Sequence, residues 1–309
     1  MNHSKKNSGH KNNYTSLRLS KIDLRVLEWL CIFGYMSTNQ IAQARHLGTD
    51  SRGQHHTARR AAQRRLLQLT KMGVLRRIEQ PVYRGDRSGS KPYLYALGAG
   101  GAEIVGAELG VDRRDIAWQP SSAERNFIFM DHILSIVDYR LALEQACHSH
   151  GVILETFIPD RILRRDPVKI MLGEDESTSK SVAIIPDAFY VLRLPGQPEK
   201  VARCLLEIDR GTTTITPRFW DQRGHRQKVK AYLALAESKQ LQEYFETESL
   251  WVKFVTTTQQ RLQSLIEATV LAGGDHRFWF TSMDQLGRNV LNEPIWQVAG
   301  RQAEWHTVL

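Results

Sequence analysis

Cysteine is scarce: Cys31, Cys147 and Cys204 stand isolated among 309 residues and form no paired spacing. That excludes a disulfide-stapled scaffold and leaves free core thiols in a reducing compartment as the expectation. No stretch approaches the roughly 18 uninterrupted apolar residues of a membrane helix. The opening Met1-Asn2-His3-Ser4-Lys5-Lys6 lacks the apolar run of a secretory signal. A cytoplasmic protein with no membrane partner is therefore expected. Acidic residues are scarce at one end only. Residues 1–97 carry 18 Lys and Arg against 5 Asp and Glu, a net of +13, whereas the remaining 212 carry 24 against 28, a net of −4. A basic module joined to a mildly acidic one fits a polyanion binder with a separate second function. The length allows two units that each bury a core.

What is present begins with an arginine-studded segment. Thr57 to Met72 reads as a helix ending at Gly73, with Ala62, Leu66, Leu69 and Met72 on one face. Arg60, Arg64, Gln68 and Lys71 form a second stripe, and Arg59 adds charge beside it. A strand over Val74–Ile78, a polar loop over Gln80–Lys91 and a strand over Pro92–Leu97 follow. Upstream, Ser20 caps a helix carrying Leu24, Leu27, Leu30 and Cys31, which Gly34 ends. Ser37 and Gln40 have capping-box spacing at the start of a short helix. Helix, hairpin and basic loop in this order describe a winged helix-turn-helix, a module that grips duplex DNA. Arg59, Arg60, Arg64, Gln68 and Lys71 are the expected contacts on the helix, with Arg84, Arg87 and Lys91 on the wing. Arginine can read guanine bidentately, and either cation can neutralise phosphate. A solvated helix face and a protein-docking surface are the competing readings of the same residues.

The expected organisation is a basic disordered tail over 1–18, the winged helix over 19–98, a linker helix over 99–120 and an α/β domain over 121–309. In that last part a long helix reaching Ser149 precedes strands at Val152–Ile158, Arg161–Leu172, Val182–Ile185 with Ala188–Leu194, and Val201–Ile208. Then come a helix over 220–237, a strand over 250–255, a helix over 259–272 and a strand over 277–280. The whole is an α+β protein whose second half has a mixed sheet. Ile185-Pro186-Asp187 and Leu206-Glu207-Ile208-Asp209-Arg210 lie on neighbouring strands. Glu207 and Asp209 share a face by alternation, and Asp187 can converge on them. Clustered carboxylates can hold Mg²⁺ or Mn²⁺ for phosphoryl chemistry, with Asp187 and Glu207 as the expected ligands. Alternatively, Glu207 and Asp209 pair with Arg203, Arg210 or Arg218 as an ion network. His132 reads as a hydrogen-bonded core histidine.

The helix and strand order of this second half resembles the PD-(D/E)xK nuclease fold, also called restriction-endonuclease-like. Pro186-Asp187 and Glu207 match its acidic positions, but Asp209 stands where its lysine belongs. Lys228 or Lys230 on the following helix would supply a displaced cation, giving Asp187, Glu207, Asp209 and Lys228 as the catalytic set that the resemblance implies. The chain from about Leu19 to Trp296 also resembles the replication-relaxation family of winged-helix proteins of plasmids and other mobile elements. The carrying residues are Leu19-Ser20-Lys21-Ile22-Asp23 with Leu27, Ala58-Arg59-Arg60 through Leu66 to Leu75-Arg76-Arg77, Pro186-Asp187-Ala188, Glu207-Ile208-Asp209-Arg210-Gly211-Thr212, and Lys228 with Tyr232. This resemblance implies duplex DNA binding in replication, mobilisation or their regulation, with other mobile-element proteins as partners and a homodimer on palindromic sites. It brings no established catalytic activity. A metal-dependent endonuclease directed by the winged helix is the alternative.

Overall fold

In the computed structural model, which describes residues 18–47, 55–80, 91–116, 118, 127–173, 180–212, 214–215, 224–301 and 304–309, the first helix starts at a reciprocal cap. The Asp23 amide donates to the Ser20 hydroxyl at 3.2 Å, and the Ser20 amide donates to the Asp23 carboxylate at 2.9 Å. Two backbone donors that a helix start would orphan are thereby satisfied. This helix, α1 (Lys21–Phe33), stops at Gly34 with φ 83°. A short strand β1 (Met36–Ser37) leads into α2 (Thr38–His46). Here the Gln40 amide donates to Ser37 Oγ at 3.3 Å, and the Ser37 amide to Gln40 Oε1 at 2.9 Å. Then follow α3 (His55–Lys71), β2 (Leu75–Ile78), β3 (Leu94–Leu97) and α4 (Ala99–Leu109). The strands form an antiparallel sheet of order β1-β3-β2.

The chain divides into two compact units, Met1–Arg45 with Arg52–Ser121, and His46–Ser51 with Ser122–Leu309. In the first, Leu27, Leu30, Phe33, Ile41, Ala62, Leu66, Leu69, Val74 and Leu94 are buried. The segment read as a linker helix, 99–120, contains α4. Its α4 packs on α1 and on the β2–β3 hairpin, within the first unit. Two glycines explain the close seating. Gly73 takes φ 71°, and a Cβ on Gly98 would lie 2.2 Å from the Gly73 carbonyl oxygen. Gly98→Ala therefore forces the backbone apart and is expected to destabilise this unit by about 1–3 kcal/mol. Chemical denaturation of the full chain checks it; an unshifted first transition would contradict the packing argument.

The second unit is built on α5 (Phe127–His150), whose N-cap residue falls outside the described ones and which Gly151 follows with φ 66°. Its strands are β4 (Ile153–Pro159), β5 (Val168–Leu172), β6 (Lys180–Ile184), β7 (Ala188–Leu194), β8 (Gln197–Asp209), β9 (Trp251–Thr256), β10 (Phe278–Ser282) and β11 (Gln297–Val298). Its further helices are α6 (Asp160–Leu163), α7 (His225–Ala236), α8 (Gln240–Phe245) and α9 (Gln259–Leu271). The main sheet runs β11-β10-β9-β8-β7-β4. It is mixed: β4, β7 and β8 pair antiparallel, β8, β9 and β10 parallel, and β11 antiparallel. Val252 and Phe254 face Val229, Tyr232, Leu262 and Leu265 of α7 and α9. On the opposite face Tyr139 of α5 reaches Tyr190 of β7, hydroxyl to hydroxyl at 2.7 Å. The architecture is a mixed α and β one with helices on both sides of a mixed sheet.

One expectation is corrected. The strand read over Arg161–Leu172 holds only from Val168. Before it, Asp160 opens α6 and takes Arg164 one turn later at 2.8 Å, which turns the chain out of the sheet. In addition, β5 and β6 make a separate hairpin. Cys147 and Cys204 are buried free thiols and Cys31 is half-buried. Among the described residues, no helix is long and apolar enough to cross a membrane.

Candidate functional site

Two clusters carry charge that the fold has arranged. The first is the outer side of α3. Ala62, Leu66 and Leu69 are buried, and the helical period then turns Arg59, Arg60, Arg64, Gln68 and Lys71 to solvent. Among the described residues no carboxylate pairs with Arg59, Arg60, Arg64 or Lys71. Arg65 behaves differently. It donates to Asp23 from Nη2 at 2.9 Å and to the Arg18 carbonyl at 3.1 Å. Gln68 accepts from Arg65 Nη1 at 3.2 Å. Arg76 and Arg77 on β2 are also exposed, with Arg77 over the Tyr93 ring at 4.3 Å. Lys91 is half-buried at the approach to β3, and Arg84 and Arg87 lie outside the described residues.

The second cluster sits where β4, β7 and β8 meet α5, α6 and α7. Asp187 precedes β7, with Oδ1 on His132 Nε2 at 2.9 Å and Oδ2 accepting from the Ile208 amide at 2.6 Å. Glu207 Oε2 accepts from Lys228 Nζ at 2.6 Å, and Oε1 accepts from the Tyr232 hydroxyl. Lys228 and Tyr232 reach one carboxylate because they lie four apart on α7. Asp209 ends β8 and is held by Arg261 of α9 and by Thr256 Oγ1 at 2.8 Å. Asp160 takes Arg164, and Asp131 takes Arg210 at 3.3 Å. Glu207, Ile208, Asp209, His225, Lys228 and Phe254 line a shallow pocket.

Burial and pairing pull the charges in different directions. Burial pushes Glu207 above the ordinary carboxylate range, with the Asp187 charge adding to it against Lys228 and Tyr232. Asp187 is buried too, but His132, Lys228 and the Ile208 N–H outweigh burial and hold it low. Burial lowers Lys228 and His132, and the facing carboxylates more than reverse this, so both are raised. Asp160 is raised by burial and by Asp187. Desolvation brings His225 down to about 4, so this histidine is neutral at physiological pH.

A sequence profile described as replication-relaxation matches residues 27–250. The chain belongs to the replication-relaxation family. Comparison with curated proteins and with solved structures gave no match. The family points to a role in plasmid or mobile-element replication.

Within this replication-relaxation chain the expected site residues fall into three groups. Asp187, Glu207 and Lys228 come together, whereas Lys230 makes no ion pair among the described residues. Asp209 shares the Glu207 face, and its oxygens are engaged by Arg261 of α9 and by Thr256. The expected partners of the alternative ion network also differ: Arg203 reaches Glu246, Arg210 reaches Asp131, and Arg218 lies outside the described residues. The metal expectation meets a donor set that does not suit it. All four oxygens of Asp187 and Glu207 already accept hydrogen bonds. Among the described residues no group of three or more His, Cys, Asp or Glu side chains is placed to hold an ion. Mg²⁺ is held by one or two carboxylates together with waters, so an ion here would have to displace the donors that now engage these oxygens. Sequence reasoning missed Tyr232 as a donor, and it missed Arg261, Asp160 and Arg164. Only the four-residue spacings of Asp160 with Arg164 and of Lys228 with Tyr232 could have signalled them.

Proposed function

We propose that this chain is a duplex DNA-binding protein acting in plasmid or mobile-element replication, mobilisation or its regulation, in the cytoplasm. The observation that carries the reading is the solvent-facing cationic side of α3, unmatched by carboxylates among the described residues. The order of helices and strands in the first unit is that of a winged helix-turn-helix, with α3 as the helix that meets DNA. Arg59, Arg60, Arg64, Gln68 and Lys71 make the helix contacts, and Arg84, Arg87 and Lys91 those of the loop between β2 and β3. These side chains neutralise phosphates and release counterions, so binding is steeply salt-dependent. Residues 19–98 form the DNA-binding domain and residues 121–309 a restriction-endonuclease-like domain used for assembly or for holding DNA ends. Further replication or mobilisation proteins and a second copy of the chain are the expected partners.

Arg60→Ala with Arg64→Ala tests this. Removing two phosphate contacts should weaken duplex binding and reduce the slope of log affinity against log salt by about 2. Fluorescence anisotropy with a duplex at several salt concentrations reads both. Equal affinity and equal slope in wild type and double variant would remove α3 from the interface. The nearness of Asp187 and Glu207 suggests one second reading, an endonuclease directed by the winged helix, in which a metal ion would have to displace Lys228 from Glu207. It predicts nicking of supercoiled plasmid in Mn²⁺ that Asp187→Ala abolishes. Identical background nicking in both proteins rejects it.

A further inference from the structure

The acidic centre of the second unit already contains a cation, and that cation is part of the chain. Lys228 Nζ lies 2.6 Å from Glu207 Oε2, and its charge acts on Asp187 and Asp209 as well. The neighbouring carboxylates are matched individually: Asp209 by Arg261, Asp160 by Arg164 and Asp187 by His132. Glu207, 3% exposed at its side chain, has Lys228 as its sole salt-bridge partner among the described residues. Two buried carboxylates beside one another would repel strongly without a positive charge between their fields. A divalent ion is one solution to that problem, and an ammonium on a helix is another. The second needs no open coordination shell, consistent with hydrogen bonds occupying every oxygen of Asp187 and Glu207.

We propose that Lys228 is a tethered substitute for a divalent cation. In the native chain its ammonium keeps Mg²⁺ and Mn²⁺ out of the Asp187–Glu207 centre, and its removal converts that centre into a divalent-cation site. The geometry of the variant follows from what the ammonium now occupies. Losing it frees Glu207 Oε2 next to Asp187, where a divalent ion competes with a proton for the buried carboxyl. The Lys228 side chain is 42% exposed, so its place is open to an ion arriving from solvent. This inference is independent of whether α3 binds DNA, because it concerns only side chains of the second unit.

Mn²⁺ alone is the probe, titrated into the full-length protein and followed by electron paramagnetic resonance of the free ion. Wild type should take up no Mn²⁺ that Asp187→Asn removes. Lys228→Ala should bind one Mn²⁺ per chain, and Lys228→Ala combined with Asp187→Asn should lose it. Lys228→Arg, which restores a cation, should exclude Mn²⁺ as wild type does. Far-UV circular dichroism establishes that each variant is folded, and Lys228→Met, which keeps the methylene stem, replaces the alanine variant if that one unfolds. Stoichiometric Mn²⁺ in wild type, lost in Asp187→Asn, would overturn the proposal outright. So would a folded Lys228→Ala or Lys228→Met protein that binds no more Mn²⁺ than wild type.

Discussion

Asp23→Ala is expected to cost the first unit about 3 kcal/mol, the lower end of the range for breaking a buried ion pair. Asp23 is 2% exposed and gathers three helices at one carboxylate. Arg45 at the end of α2 donates at 2.7 Å, Arg65 in the middle of α3 at 2.9 Å, and the Ser20 amide and hydroxyl at 2.9 and 2.7 Å. The two guanidinium groups keep 20% exposure, so water recovers part of the loss, which is why the lower end applies. Burial pushes the Asp23 carboxyl up, but Arg65, the Ser20 amide and hydroxyl, and Arg45 outweigh it and hold the group far below the usual carboxylate range. The unfolded carboxyl protonates near its ordinary value while the folded one does not. This stabilisation is therefore full above about pH 4 and declines as the solution becomes more acidic. Asp23→Asn should flatten that acid limb while retaining part of the helix cap. Urea unfolding between neutral and acid pH measures both effects. A variant as stable as wild type at neutral pH would mean that Arg45 and Arg65 find equal partners elsewhere. The same network bears on the proposed DNA contact. By drawing Arg65 inward, Asp23 reinforces the rotation of α3 that the burial of Ala62, Leu66 and Leu69 already sets. On the proposed reading, where Asp23→Ala remains folded, duplex affinity should fall with the native population while the salt slope stays unchanged, because the residues proposed to meet phosphate are untouched.

The parts of this structure legible in the sequence are those set by local spacing. Ser20 and the Ser37–Gln40 pair mark helix starts because a side chain three residues away reaches an orphaned amide, whatever the rest of the chain does. Ala62, Leu66 and Leu69 face inward because a helical period allows nothing else once one of them is buried. The strands β9 and β10 read as short apolar runs and are buried on both faces. What escaped the sequence reading depends on partners far away along the chain. Asp209 looks like a third ligand beside Glu207 until α9 delivers Arg261 from 52 residues further on. Arg65 stands outside the cationic stripe in the sequence, and only the fold brings it to Asp23. The α6 turn interrupts a stretch that alternates well enough to pass for strand. Lys253 is the extreme case, since a lysine in a strand reads as an exposed residue and this one is 1% exposed.

Lys253→Met is expected to stabilise the second unit at pH 6 and to make little difference by pH 9. Lys253 lies on β9, and its buried Nζ has no hydrogen-bond partner among the described residues. Its ammonium position faces three indoles, at 3.6 Å from the Trp279 ring centroid, 4.4 Å from Trp296 and 5.4 Å from Trp251. Trp251 and Trp279 stack with an interplanar angle of 11°, which fixes two walls of the cage. Desolvation brings the amine from 10.5 down to about 7, opposed only weakly by Cys204. Such a displacement corresponds to roughly 5 kcal/mol against the charged form, and the indole faces return about 2 kcal/mol of it through cation–π attraction. The unfolded chain keeps this lysine protonated to near 10.5, whereas the folded chain releases the proton from about 7. Between those values the unfolded state binds more protons, so stability rises with pH. Methionine has a similar length, fills the same cage and does not titrate. Its advantage at pH 6 should be about 2–3 kcal/mol, the surplus of desolvation over cation–π attraction. That advantage should shrink steadily as alkali neutralises the wild-type amine. Tyr139, Tyr190 and Tyr232 are raised by burial and add a fall in stability above about pH 10, which limits the useful window to lower pH. Denaturation midpoints followed by tryptophan emission read the cage directly. If Lys253→Met is less stable than wild type by the same margin at pH 6 and pH 9, attraction to the indoles exceeds desolvation. Lys253 would then be a charged strut of the sheet across the whole range.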